Sequence, residues 1–159
     1  MKHTLVLIRH AQAEAHSFDG DHSRPLSARG HRQAQSLAAR LAELLPAVDI
    51  MVYSDARRTQ ETAEHIRQAC PPTKEWADHG VYFAMPSDIL TLISGFTEAT
   101  TAIIVGHEPT VSEVGAFLAR DSQDIHRGVP TATALVLRSD ETWANIGPHS
   151  CSLEILHQR

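Results

Sequence analysis

The chain has 159 residues, 42% hydrophobic and 21% charged, with a formal net charge of -5. Those figures suit one globular domain over 1–159 with enough apolar side chains for a single core. They give no global basic field that would draw the protein to nucleic acid or an anionic membrane, so an anion site has to be local. Cys70 and Cys151 are the only cysteines and lack CxxC spacing, which reads as reduced packing residues and a cytoplasmic setting. Arg9 and His10 interrupt the first apolar run before a signal-peptide core forms, and no stretch approaches the roughly 20 apolar residues of a membrane span.

In chain order, "TLVLI" (4–8) is expected as a fully buried strand that stops on Arg9-His10. The runs "VDIMVY" (48–53) and "TAIIV" (101–105) are similar, and their continuous rather than alternating apolarity predicts parallel strands covered on both faces. A helix follows the first strand, with Ser27 as N-cap, Ala34, Leu37, Ala38, Leu41 and Leu45 on its inner face, and Pro46 at its end. The second helix, "DARRTQETAEHIRQAC", turns Ala56, Thr59, Ala63, Ile66 and Cys70 inward and stops at Pro71-Pro72. A third follows Ser87 with Ile89, Leu90, Leu92 and Ile93. A fourth begins near Pro109 and buries Val111, Val114 and Leu118. "TATALVLR", "TWANIG" and "SLEILH" are expected as strands added at a sheet edge. The order β-α-β-α-α-β-α-β-β-β predicts a three-layer α/β/α sandwich with a mostly parallel central sheet.

Ligands of open α/β sheets bind outside the carboxyl ends of the strands. Here those ends carry Arg9-His10, then Tyr53-Ser54 leading to Arg57 and Arg58, then His107. Arginine forks match phosphate oxygens bidentately, helix N-termini add free N–H groups, and a histidine among arginines is held neutral with a free lone pair. The expected ligand is therefore phosphate, with phosphate or sulfate able to occupy the site.

"LIRHAQAE", "DHSRPLSARGHRQA", "YSDARRTQETAE" and "IVGHEP", in that order over about residues 4 to 139, resemble the histidine phosphatase superfamily (phosphoglycerate mutase-like), and its small SixA-like phosphohistidine phosphatases in particular. The resemblance implies that His10 accepts the phosphoryl group, that Arg9 and Arg58, not Arg57, bind phosphate, that His107 contacts the phosphoryl oxygens, and that Arg24 completes the pocket. It implies a hydrolase that needs no metal or cofactor and a histidine-phosphorylated partner such as a phosphotransfer domain in signal transduction. Two departures stand out. Ala11 replaces the glycine that commonly follows the RH pair, so the turn there should not need positive φ. Larger members carry an acid that protonates a leaving alkoxide, and the stand-ins here are Asp78, Asp88 and Glu108. An imidazole leaving from a P–N bond, already protonated, needs no such acid, which points to phosphohistidine. A small-molecule phosphomonoesterase or mutase of the same superfamily is the alternative, and a non-catalytic phosphate-binding module a further one.

Arg57 is expected to pair along its helix, and Tyr82 and Phe83 to be core or pocket wall. The His16-Asp19-Asp21-His22 loop lacks the fixed i, i+4 geometry of a metal site, so no metal is expected there. His79, like most of the 11 histidines, is expected at the surface.

Overall fold

A computed structural model describes residues 2–158. Its centre is a six-stranded sheet: β1 (His3–Arg9), β2 (Ile50–Ser54), β3 (Lys74–Asp78), β4 (Thr101–Gly106), β5 (Ala134–Ser139) and β6 (Ser152–Leu156). The spatial order is β3-β2-β4-β1-β5-β6. The first four strands run parallel; β5 pairs antiparallel with β1, and β6 antiparallel with β5. Among the described residues, five helices cover it: α1 (Ala28–Leu44), α2 (Arg57–Ala69), α3 (His79–Tyr82), α4 (Pro86–Ser94) and α5 (Thr110–Leu118).

The central strands are apolar on both sides because both sides are covered. Val6 and Ile8 of β1, Met51 of β2 and Ile103 and Val105 of β4 pack with Ala34, Leu37 and Leu41 of α1 and Ile66 of α2. Leu5, Leu7, Val52 and Ile104 point the other way and pack with Ile89 and Ile93 of α4 and Val114 and Leu118 of α5. The result is the expected three-layer sandwich. Each such fully buried aliphatic side chain contributes about 1.5–3 kcal/mol relative to exposure. No helix among the described residues is long and apolar enough to cross a membrane.

The crossovers through α1 and α2 lie on one face, and those through α3, α4 and α5 on the other. The winding reverses beside β1 and β4, where a right-handed crossover rule places a crevice at the strands' carboxyl ends. The register pairs Arg9 with Gly106, so the residues that follow, His10 and His107, leave the sheet side by side.

Several elements differ from expectation. Ser27 does cap α1, its side chain accepting from Gly30 N. The third helix starts earlier, with Pro86 at its first turn and the Asp88 carboxylate accepting from Met85 N at 2.9 Å. Pro109 is the N-cap of α5, one residue before the helix. "TWANIG" is not a strand: Trp143–Asn145 form a 3-10 turn, because the Trp143 ring is buried against Phe96 and its Nε1 donates to Ala99 O at 2.6 Å. Strand β3 and helix α3 were not anticipated. The polar stretch 16–23 holds a 3-10 turn at Asp21–Ser23.

Candidate active site

All five expected residues, Arg9, His10, Arg24, Arg58 and His107, line one cleft of about 360 Å³, together with Asp21, Tyr82, Phe83 and Glu108. They arrive from four pieces of the fold, Arg9 and His10 together from the end of β1. His10 follows β1 and is clamped there: its N–H donates to Gly106 O at 3.1 Å, and Ala132 N donates to the carbonyls of both Arg9 and His10 at 3.1 Å. The next residue, Ala11, donates its N–H to Thr62 Oγ1 of α2 at 3.1 Å, and the same hydroxyl donates to Arg58 O at 2.8 Å. One threonine thus joins the backbone beside His10 to the turn of α2 that carries Arg58. Ala11 lies outside the positive-φ residues of the described chain, as its lack of glycine implied.

His10 is 9% exposed. Its Nδ1 lies 2.7 Å from Ala11 O. A carbonyl only accepts, so Nδ1 carries the proton and Nε2 keeps its lone pair. Burial, reinforced by the charges of His107, Arg58 and Arg9, lowers its pKa to about 3 against the pull of the Ala11 hydrogen bond. His107 Nε2 is 2.8 Å from Ser54 Oγ and its Nδ1 is 3.5 Å from an Arg58 nitrogen. Burial and then the Arg58 charge lower its pKa to about 4. Both rings are therefore neutral near pH 7.

The arginines differ in how fully they are paired. Arg9 donates through one terminal nitrogen to Val129 O at 2.8 Å, and Arg58 donates to Asp21 O at 2.9 Å and to Asp21 Oδ2 at 3.2 Å. Arg24 donates from Nε to Asp21 Oδ1 at 3.0 Å and from a terminal nitrogen to Glu14 O at 2.8 Å. Among the described residues, the buried side-chain nitrogens and oxygens that lack a hydrogen-bond partner are two: Arg9 Nε and Arg58 Nε. Both belong to arginines that line the cleft with Arg24, and guanidinium groups gathered in one cleft suit an oxyanion. Arg57, by contrast, pairs with Glu61 at 3.0 Å on the exposed side of α2, as expected.

The acidic residues take other work. Asp78 Oδ1 accepts from Gly80 N at 2.8 Å and Asp88 Oδ2 from Met85 N at 2.9 Å; each caps a helix and neither lines the cleft. Glu108 lines the cleft, but its oxygens accept from Ser112 N, Ser112 Oγ and Val129 N at 2.8, 2.7 and 3.1 Å. Asp21 is the carboxylate inside the cleft, and its role there was not foreseen. The Tyr82 hydroxyl donates to it, and that bond, followed by those from Arg24 and Arg58, holds its carboxyl well below the usual range. No sequence periodicity marks Asp21, since it sits on an isolated turn; only its position three residues before Arg24 hinted at a pairing. Beside the cleft lies an apolar recess of about 300 Å³ that shares Tyr82, Phe83, His107 and Glu108 with it.

A sheet wound this way, with two neutral imidazoles and three arginines at its carboxyl edge, has the charge and the donors to receive a phosphoryl group. The sequence model of the histidine phosphatase superfamily (branch 1) matches residues 5–78. A protein of Mycobacterium tuberculosis is 33% identical over 158 residues, covering 94% of this chain and 98% of its own. The structure of a candidate phosphohistidine phosphatase SixA from Nakamurella multipartitia matches with a TM-score of 0.86 at 30% identity, over 98% of this chain and 96% of that one. A corresponding structure from Agrobacterium tumefaciens gives 0.81 at 24% identity over 98% of both, a likeness of fold. This chain belongs to the histidine phosphatase superfamily. Within that superfamily it is SixA-like.

Proposed function

We propose that this protein is a metal-independent phosphohistidine phosphatase, and that His10 Nε2 is its nucleophile. Nε2 attacks phosphorus in line, forming a P–N bond as the P–N bond to the substrate imidazole breaks. Arg9, Arg24, Arg58 and His107 bind the equatorial oxygens and offset their charge. As His10 donates its lone pair, its ring becomes positive, and the Nδ1–H bond to Ala11 O strengthens with that charge. Water then attacks the phosphoenzyme, inorganic phosphate leaves, and the neutral ring returns.

The observation that carries this activity is the orientation of His10: a carbonyl on Nδ1 leaves Nε2 free in a cleft lined by Arg9, Arg24 and Arg58. The state of the carboxylates favours phosphate on nitrogen. Asp21 is held ionised and the Glu108 oxygens are engaged as acceptors, so neither is poised to protonate an alkoxide. An imidazole whose second nitrogen is protonated departs as a neutral molecule without such help. The partner that fits is a histidine-phosphorylated protein, such as a phosphotransfer domain.

The test is a side-by-side rate measurement on a phosphohistidine protein and a panel of sugar and glycerate phosphates, with acid and alkaline quenching of the turnover mixture. The expected result is preference for phosphohistidine and a phosphoenzyme that is acid-labile, alkali-stable and missing from His10→Ala. Faster turnover of the monoesters would assign the protein to small-molecule phosphomonoester chemistry instead. Label on another residue would remove His10 as nucleophile.

A further inference from the structure

We infer that His22, Asp55 and His79 form a binding site for a borderline transition-metal dication such as Zn²⁺, at the rim of the cleft and separate from its phosphoryl chemistry. The three come from three elements: the 3-10 turn Asp21–Ser23, the β2–α2 connection, and the first residue of α3. Their potential ligand atoms all lie within 4.8 Å of one another. His22 Nε2 is 2.8 Å from Asp55 Oδ1, and His79 Nδ1 is 2.9 Å from Asp55 Oδ2. The side chains are 43%, 27% and 67% exposed in the order His22, Asp55, His79, so an ion reaches them from solvent.

Two imidazole nitrogens and one carboxylate oxygen suit zinc, cobalt, nickel or copper and leave further coordination positions to water, whereas magnesium and calcium prefer all-oxygen sets. Bonds of about 2.0–2.2 Å to a tetrahedral ion need ligand atoms roughly 3.3 Å apart. The present spacings of 2.8 and 2.9 Å, and a separation of at most 4.8 Å for any pair, reach that by rotations of these partly exposed side chains. Two N–H···O hydrogen bonds give way to the metal. The nitrogen of each imidazole that meets the metal is then the one without a proton.

Occupancy would couple the rim to the cleft. His22 adjoins Asp21, Asp55 lies three residues before Arg58, and His79 is three residues before Tyr82. Asp21, Arg58 and Tyr82 are bonded to or stacked near one another inside the cleft. A metal would staple together the three segments that hold them.

The experiment is titration of the full chain with Co²⁺ alone, read by visible d–d absorbance and by thermal melting. It needs no phosphatase substrate, so its outcome is independent of the proposed activity. The expected result is one saturable equivalent with micromolar affinity, a raised Tm, and displacement by Zn²⁺ but not by millimolar Ca²⁺. In His79→Ala and Asp55→Asn, whose folding circular dichroism checks, affinity should fall at least about tenfold, the usual range for losing a ligand or its support. No saturable binding, binding that survives both substitutions, or displacement by Ca²⁺ would overturn the site.

Discussion

The Asp21 carboxylate bonds to the Arg58 guanidinium at 3.2 Å, inside a cleft that Arg9 and Arg24 also line. It also accepts from Arg24 and Tyr82, so one side chain of the protein occupies donors that a phosphoryl group would use. A bound oxyanion must displace or share that carboxylate. Asp21→Asn keeps the shape and an acceptor oxygen while removing the charge. Sulfate or phosphate should then bind about tenfold more tightly, equivalent to about 1.4 kcal/mol. The inhibition constant of inorganic phosphate measures this; weaker binding in the variant would show that Asp21 instead aligns the arginines.

Thr62 is fully buried and serves as both acceptor and donor between Ala11 N and Arg58 O. Thr62→Val preserves the volume but leaves the buried Ala11 N–H without a partner. The expected cost is about 1–3 kcal/mol of unfolding free energy in urea titrations. Because Ala11 also holds His10 Nδ1, turnover should fall further than stability alone explains, with the loss appearing in kcat. A variant with wild-type kcat would mean that the His10 turn is positioned by β4 and residue 132 alone.

Most of the sheet and four helices were legible because buried parallel strands and amphipathic helices leave strong patterns. Strand β3 was not. Lys74–Asp78 is a half-exposed edge strand whose Glu75 is paired with Arg67 and Tyr53, 8 and 22 residues away in sequence. Such pairing has no local signature. The same limit applied to the cleft. His10 and His107 were visible because each follows an apolar strand, whereas Asp21, Tyr82 and the His22-Asp55-His79 cluster are assembled from residues up to 61 positions apart whose spacing follows no periodicity.

Gly30 faces the chain leaving β1. A Cβ there would lie 1.9 Å from Gln12 O, a backbone atom held in place by Ser27 N at 3.0 Å. No side-chain rotation relieves that contact, so α1 and the segment after His10 would have to separate. Gly30→Ala should destabilise the protein by about 3 kcal/mol, at the upper end of overpacking effects. Chemical denaturation gives the number, and a near-neutral result would show that α1 shifts freely along the sheet.

The two lowered imidazoles also set a pH dependence of stability. In the unfolded chain both titrate near pH 6.5; in the folded, anion-free protein His10 does so at about 3 and His107 at about 4. Between these values the unfolded state binds more protons, so stability is full above pH 6.5 and falls as pH drops toward 4. Each ring contributes at most about 1.4 kcal/mol per pH unit over that window. His10→Asn should flatten the slope measured in urea titrations from pH 7 to 5. An unchanged slope would place the proton uptake elsewhere.

Anion binding should reverse the field that keeps His107 neutral. Its Nδ1 now faces an Arg58 nitrogen at 3.5 Å, and burial plus that positive charge disfavour protonation. A dianion among the arginines cancels the repulsion and offers an acceptor to a protonated Nδ1. Sulfate is the clean probe, since its own charge is constant over the accessible range. Binding at pH 6 should take up a proton, with a stoichiometry up to about one, and affinity should rise as pH falls toward 4 because the bound state holds the proton more tightly. Calorimetry in two buffers of different ionisation enthalpy reads the uptake directly. In His107→Gln the uptake should shrink while sulfate still binds to the arginines. Binding without proton uptake in the wild-type protein would mean that His107 stays a neutral hydrogen-bonding partner throughout the phosphoryl transfer.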